Sequence, residues 1–225
     1  MSVLGIVVLA ILGVSTVGLI LYVGFFLPRR VEEQLRGSMR VFSTAVELRF
    51  PSHRGLTDRV IALSRAVGRE LKLSRRQLAD LETAAYLRDI GLCGVPYRLV
   101  NGSEPHDWSA DDRHIYDRHA EVSATMLEVV PSLQRFARIV RSHHASEDQL
   151  DSSPFLSVKS LPIESRILNV VTTYTWSERV QGDLIAREII RDGRGTHFDE
   201  EVVDTFLTVL TSARVREVAS PALIR

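Results

Sequence analysis

No charged side chain occurs before Arg29, and the whole chain carries one cysteine, Cys93. A lone cysteine excludes a disulfide framework and any cysteine-based zinc site within one chain. Neither sign of charge is in excess, with 28 Lys and Arg against 28 Asp and Glu. That balance gives no support for binding a nucleic-acid polymer, which needs a basic surface. Internal repeats and low-complexity tracts are absent, and no stretch alternates strictly between apolar and polar residues, so strands have little support. The apolar share of 45% is too high for disorder to be the main state.

What is present begins with Val3 to Leu27, a run of 25 residues without a charge. At 1.5 Å per residue this is roughly 37 Å of helix, enough to span a hydrocarbon core with some tilt. Tyr22, Phe25 and Phe26 stand near its end, where interfacial aromatics are expected. A cleaved signal peptide fits worse, because the run has no basic leader, is too long and ends in no A-x-A site. Pro28-Arg29-Arg30 follows, then Arg36 and Arg40. The positive-inside rule then places the N-terminus outside and the rest in the cytoplasm, at the inner membrane, in a single pass. Residues 1–28 read as the anchor, 29–50 as a juxtamembrane helix and 51–225 as a helical domain. Val31, Leu35, Met39, Phe42 and Val46 give the linker a helical period that suits either packing on the domain or a homodimer seam.

The domain reads as all-α. Val60, Leu63, Val67 and Leu71 share one face after Thr57, and Ser74 with Gln77 forms a capping box before Leu78, Leu81 and Ala85. Ser109 with Asp112 caps a helix carrying Ile115, Val122, Met126 and Val130 as its inward stripe. Pro131 opens the next, with Leu133, Phe136, Ile139 and Val140, and Pro162 begins another, with Ile163, Ile167, Val170, Val171 and Tyr174. Two more helices follow, over 182–191 and 199–214.

Four polar residues fall on these apolar stripes. Asp89 continues Leu81 and Ala85, His119 lies between Ile115 and Val122, and His143-His144 ends the stripe of Phe136, Ile139 and Val140. A buried carboxylate needs partners. Three imidazoles and a carboxylate on inward faces suit one divalent metal of the Fe, Mn or Zn class, or else a hydrogen-bonded cluster that serves folding. His53, His106, His114 and His197 read as surface or loop residues.

The order of these residues resembles the HD-GYP domain, a branch of the HD superfamily of metal-dependent phosphohydrolases, from about Pro51 to Leu210. Ala84-Ala85-Tyr86-Leu87-Arg88-Asp89-Ile90-Gly91-Leu92 is similar to the family's A-x-L-H-D-I-G-K, with Arg88 for His and Leu92 for Lys. Arg118-His119 matches its R-H-P helix, Ser142-His143-His144 its double-histidine helix, Val171-Thr172-Thr173-Tyr174-Thr175 its A-D-x-Y-D, and Gly195-Thr196-His197-Phe198-Asp199 its late G-T-x-F-D turn. The opening segment, Pro51 to Val60, has Leu56 where the family has His. The resemblance implies an HD-superfamily helical bundle behind one transmembrane helix, and hydrolysis of cyclic di-GMP by iron- or manganese-like ions.

The resemblance also implies where this chain departs. The family's first metal would meet Leu56, Arg88, Asp89 and Thr172, of which only Asp89 is a ligand. Its second would meet Asp89, His119, His143 and His144, all present. Leu92 replaces the phosphate-assisting Lys, and residues 145–160 lack the G-Y-P loop. Arg88 would pair with Asp89 at the first-metal position or bind a phosphate. Arg118, Arg141 and Arg166 are further phosphate candidates, though surface helix positions explain them better. No residue is assigned a catalytic role. The expectation is a degenerate signalling protein that binds a cyclic dinucleotide or a protein partner. A residual one-metal phosphohydrolase and a structural subunit of a membrane complex are the alternatives.

Overall fold

The computed structural model describes residues 2–101, 107–145 and 158–212, and the chain divides into two compact units, residues 1–41 and 42–225. His106 and most of the segment expected to replace the G-Y-P loop lie outside the described residues.

The first unit is helical. Helix α1 (Val3–Leu21) passes through a π-helical turn, Tyr22–Phe26, into α2 (Leu27–Arg49). The helix runs on through Pro28, where the sequence reading divides anchor from linker. A proline has no N–H and its ring crowds the carbonyl four residues back. The π turn just before it, where the Leu27 N–H reaches the Tyr22 carbonyl, is a usual way to carry a helix past such a point. The helix is long and apolar enough to cross a membrane.

In the second unit, α3 (Leu56–Glu70), α4 (Arg75–Leu87), α5 (Tyr97–Asn101), α6 (Ala110–Asp117), α7 (His119–Glu128), α8 (Gln134–Arg141), α9 (Ile163–Gln181), α10 (Asp183–Asp192) and α11 (Glu200–Thr211) build an all-α bundle. Among the described residues, extended pairing is limited to one bridge between Arg194 and Phe198. Helix α9 is its centre. It buries Ile167, Leu168, Val170, Val171 and Tyr174 on several sides, and it packs against α3 and α10. A helix buried most of the way round must lie inside the bundle.

Local signals set the ends. Ser74 with Gln77 forms the expected capping box, and Ser109 with Asp112, expected as a cap, forms a second. Gly55, in the left-handed region at φ 75°, starts α3 without a capping side chain of its own. Glu47 supplies the cap instead, accepting the Gly55 N–H at 2.9 Å and the Thr57 N–H at 3.0 Å.

Two sequence expectations change. Pro131 lies in a turn, and α8 begins only at Gln134. The stripe of Ile115, Met126 and Val130 points outward, with each residue about 40% exposed. The reason is a break at Arg118 between α6 and α7, which resets the helical phase. The face of α7 that is buried carries His119, Ala120, Ser123, Ala124 and Leu127. His119 is thus inward for a different reason than its spacing from Ile115.

Candidate metal centre and cavity

The chain turns sharply after α4. Arg88 and Asp89 follow its last residue, and a 3₁₀ turn, Ile90–Gly94, begins at once. Gly91 lets this turn lie directly on α7. A Cβ at Gly91 would stand 2.1 Å from the His119 carbonyl oxygen and 2.7 Å from the Ser123 nitrogen. Ser123 ties the two pieces together: its hydroxyl accepts the Gly91 N–H at 2.8 Å and donates to the Arg88 carbonyl at 2.7 Å. This contact sets Asp89 beside the first residue of α7, His119.

His119, His143 and His144 converge from that helix start and from the turn after α8. Their ring centroids are 5.5 Å (119 to 143), 5.1 Å (119 to 144) and 4.0 Å (143 to 144) apart. One nitrogen of each lies within 4.8 Å of the others, so the three form a group able to hold a metal ion. His119 Nδ1 donates to the Tyr116 carbonyl at 2.7 Å and His143 Nδ1 to the Val140 carbonyl at 2.6 Å. A carbonyl only accepts, so the proton is assigned to Nδ1 and each Nε2 carries a lone pair. Both Nε2 atoms are buried without a hydrogen-bond partner. Leaving such an atom unpaired costs about 1–3 kcal/mol. An ion at this point removes that cost, and the Nδ1 bonds are the outer partners that metal-binding histidines use to fix tautomer and orientation. Burial pushes the imidazoles of His119, His143 and His144 below the usual histidine range, the last two well below. All three are neutral at pH 7, as a metal ligand must be.

Asp89 stands at the edge of this group, its Oδ1 3.8 Å from His119 Nε2. Its Oδ2 is 2.7 Å from Arg88 Nη2, the pairing expected from the sequence. Arg88 is buried, and its Nη1 donates to the Ala85 carbonyl at 2.6 Å. Burial would raise the Asp89 carboxyl; Arg88, ahead of the neighbouring imidazoles, outweighs it and holds the group below its ordinary value.

Beside the group opens a cavity of about 880 Å³, within the size range of small-molecule sites. Leu56 and Thr172 line it together with Arg88, Asp89 and His144. The Thr172 hydroxyl turns back to donate to the Leu168 carbonyl at 2.8 Å. Leu92 is elsewhere: it is fully buried in a core cluster with Val46, Phe50, Val95, Leu99 and Val100. Of the other phosphate candidates, only Arg141 reaches the cavity wall, where it pairs with Glu121 at 2.8 Å and Glu128 at 3.0 Å. Arg166 pairs with Asp199 at 2.7 Å, and Arg118 is not on the wall.

His53 corrects the sequence reading, which treated it as a surface or loop residue. It is 5% exposed, lines the cavity, and lies with its ring centroid 5.1 Å from that of Trp176. Burial brings its imidazole down to about 4. Its position in a 3₁₀ turn, Pro51–His53, puts it on no periodic stripe, so spacing gave no warning. His114 and His197 are exposed, although His197 touches the cavity wall. Sequence reasoning also passed over Trp108 and Trp176, both on this wall. They are the chain's two tryptophans, and that scarcity was the available signal.

The sequence pattern described as "HD domain" matches residues 40–202. The chain is 26% identical over 148 residues to the cyclic di-GMP phosphodiesterase response regulator RpfG of Xanthomonas campestris pv. campestris, covering 64% of this chain and 38% of that protein. It is 28% identical over 120 residues to a cyclic di-GMP phosphodiesterase of Thermotoga maritima, covering 52% and 32%. It thus spans about a third of the length of these curated relatives. Among solved structures, the HD domain of the Listeria monocytogenes phosphodiesterase PgpH superposes with a TM-score of 0.57 at 16% identity, covering 80% of this chain and 99% of that one. The same domain solved with cyclic-di-AMP gives 0.51 at 15% identity, covering 79% and 97%. Bd1817, an HDG"Y"P protein from Bdellovibrio bacteriovorus, gives 0.58 at 15% identity, covering 70% and 52%.

Proposed function

This chain belongs to the HD domain family, and we propose that it is a catalytically degenerate member that binds a cyclic dinucleotide in its cavity and acts in signalling. One observation carries the reading: two unlike groups meet at the cavity. One is the histidine cluster, of which His144 lines the cavity while His119 and His143 are buried with unpaired Nε2 atoms. The other is Leu56, Thr172 and the Arg88–Asp89 pair, all on the cavity wall. The names of the relatives, cyclic di-GMP phosphodiesterases, and a neighbour solved with cyclic-di-AMP support a ligand of this class.

His119, His143 and His144, with Asp89 at their edge, would hold one divalent ion of the Fe, Mn or Zn class. Such an ion supplies Lewis acidity toward a phosphate oxygen. Arg88, on the cavity wall, supplies a fixed cation beside Asp89. It neutralises Asp89 and keeps that carboxylate ionised, but a guanidinium does not acidify water as an ion does. Leu56 and Thr172 offer no charged ligand for a second ion. The residues therefore favour holding a phosphate over cleaving it.

Residues 1–28 serve as the anchor and 29–50 as the link, carrying the domain of residues 51–225 on the cytoplasmic side of the inner membrane. The charge-free run and Arg29-Arg30 after it support this orientation. A protein partner, or a second copy of this chain, receives the bound state. The second reading, a one-metal phosphohydrolase, is favoured by the open coordination positions that three histidines leave.

The test is metal analysis of the purified full chain, with calorimetry and product analysis using cyclic di-GMP and cyclic di-AMP. One metal per chain and binding without turnover is the expected result. Two metals with turnover overturns the reading, and turnover with one metal selects the phosphohydrolase. A chain that takes up neither metal nor nucleotide leaves only an interaction role.

A further inference from the structure

Helix α9 presents one continuous face to the cavity. Asn169, Thr172, Thr173 and Trp176 line it at a spacing of three, four and seven residues, that of a single helical face, and Thr175 and Ser177 line it beside Trp176. The face starts at the histidine end, where the Asn169 side-chain amide donates to the Ala145 carbonyl at 2.9 Å, next to His144. It ends at Trp176, seven residues on, roughly 10 Å along the axis at 1.5 Å per residue. That is about the span of a phosphate, a ribose and a base laid end to end.

Trp176 is half-buried, while its neighbours Thr175 and Ser177 are buried. Its indole is backed by His53, with centroids 5.1 Å apart and planes tilted by 36°. The turn carrying His53 is fixed to the same helix. Arg179 donates to the Ser52 carbonyl at 2.5 Å and to the Arg54 carbonyl at 2.7 Å, and the Ser52 hydroxyl lies 3.1 Å from His53 Nδ1. The aromatic wall is therefore built before any ligand arrives.

Resting on the nucleotide-binding reading above, we propose that Trp176, steadied by His53, is a stacking platform for one base of the bound dinucleotide, while its phosphate lies at the histidine end of the same helix face. Stacking accepts any base, because each has a π-face. The platform thus supplies affinity for nucleotides over simple phosphates rather than a choice between guanine and adenine.

The experiment uses the full chain in detergent. Trp108→Phe leaves Trp176 as the one tryptophan, and its fluorescence is followed as cyclic di-GMP, cyclic di-AMP or inorganic phosphate is added. Both dinucleotides are expected to quench it, and phosphate alone is not. By calorimetry, Trp176→Ala should weaken either dinucleotide about tenfold to a hundredfold, Trp176→Phe should recover most of that, and phosphate affinity should stay unchanged. Thermal melting of each variant checks the fold. If Trp176→Ala binds dinucleotide as the unaltered chain does, or loses phosphate equally, the platform is wrong while the nucleotide reading stands. If the unaltered chain binds neither dinucleotide, both fall together.

Discussion

Arg88 Nη2 lies 2.7 Å from Asp89 Oδ2, and both side chains are largely withdrawn from solvent. A buried pair of this kind need not add net stability, but removing one partner strands the other, at about 3–5 kcal/mol. Arg88→Met should therefore lower the stability of the metal-free chain by about 3 kcal/mol. It also frees Asp89 to serve as a ligand beside His119, so added zinc or manganese should raise the melting temperature of the variant more than that of the unaltered protein. Equal melting of the two metal-free proteins would mean that Asp89 takes up a proton instead of relying on Arg88.

The unpaired Nε2 atoms of His119 and His143 make metal uptake a stability measurement. An ion that binds only the folded state stabilises it by mass action. Zinc should raise the melting temperature, and His119→Ala and His143→Ala should each abolish the rise and bring the metal content after dialysis to background. A full zinc response in His143→Ala would place the ion elsewhere.

Acid should weaken the fold through His53. Its folded value of about 4 lies below the ordinary 6.5, so between these pH values the unfolded chain binds the extra proton. The contribution is complete above pH 6.5 and is lost as pH falls toward 4, by about 3 kcal/mol at most. The buried His119 and His143, and His144 on the cavity wall, shift in the same direction. Denaturant melts of the metal-free chain at stepped pH should show the decline, and His53→Gln should make it shallower. An unchanged slope in that variant would assign the loss to the other three histidines.

Gly91 is set by space rather than by its backbone angles. The 2.1 Å approach of a Cβ to the His119 carbonyl forces the 3₁₀ turn and α7 apart. Gly91→Ala should cost about 3 kcal/mol, the upper part of the range for overpacking, and should weaken metal binding by moving His119 away from His143. Melting and metal content together check this. A variant with lower stability and full metal affinity would show that the displacement spares His119.

Sequence alone determined the helical class, the charge-free N-terminal helix, the Ser74–Gln77 capping box and the inward placement of Asp89 and His143. These follow from local spacing and composition, because a 3.6-residue period and a cap within four residues are written along the chain. Spacing misled where the period was interrupted: the break at Arg118 turned Ile115, Met126 and Val130 outward. Only the tertiary structure brought His53 to Trp176, 123 positions later in the numbering, and moved Leu92 into a core cluster away from the cavity. Such contacts depend on how helices cross and on where a glycine lets two backbones meet, and no residue carries that information in its immediate neighbours.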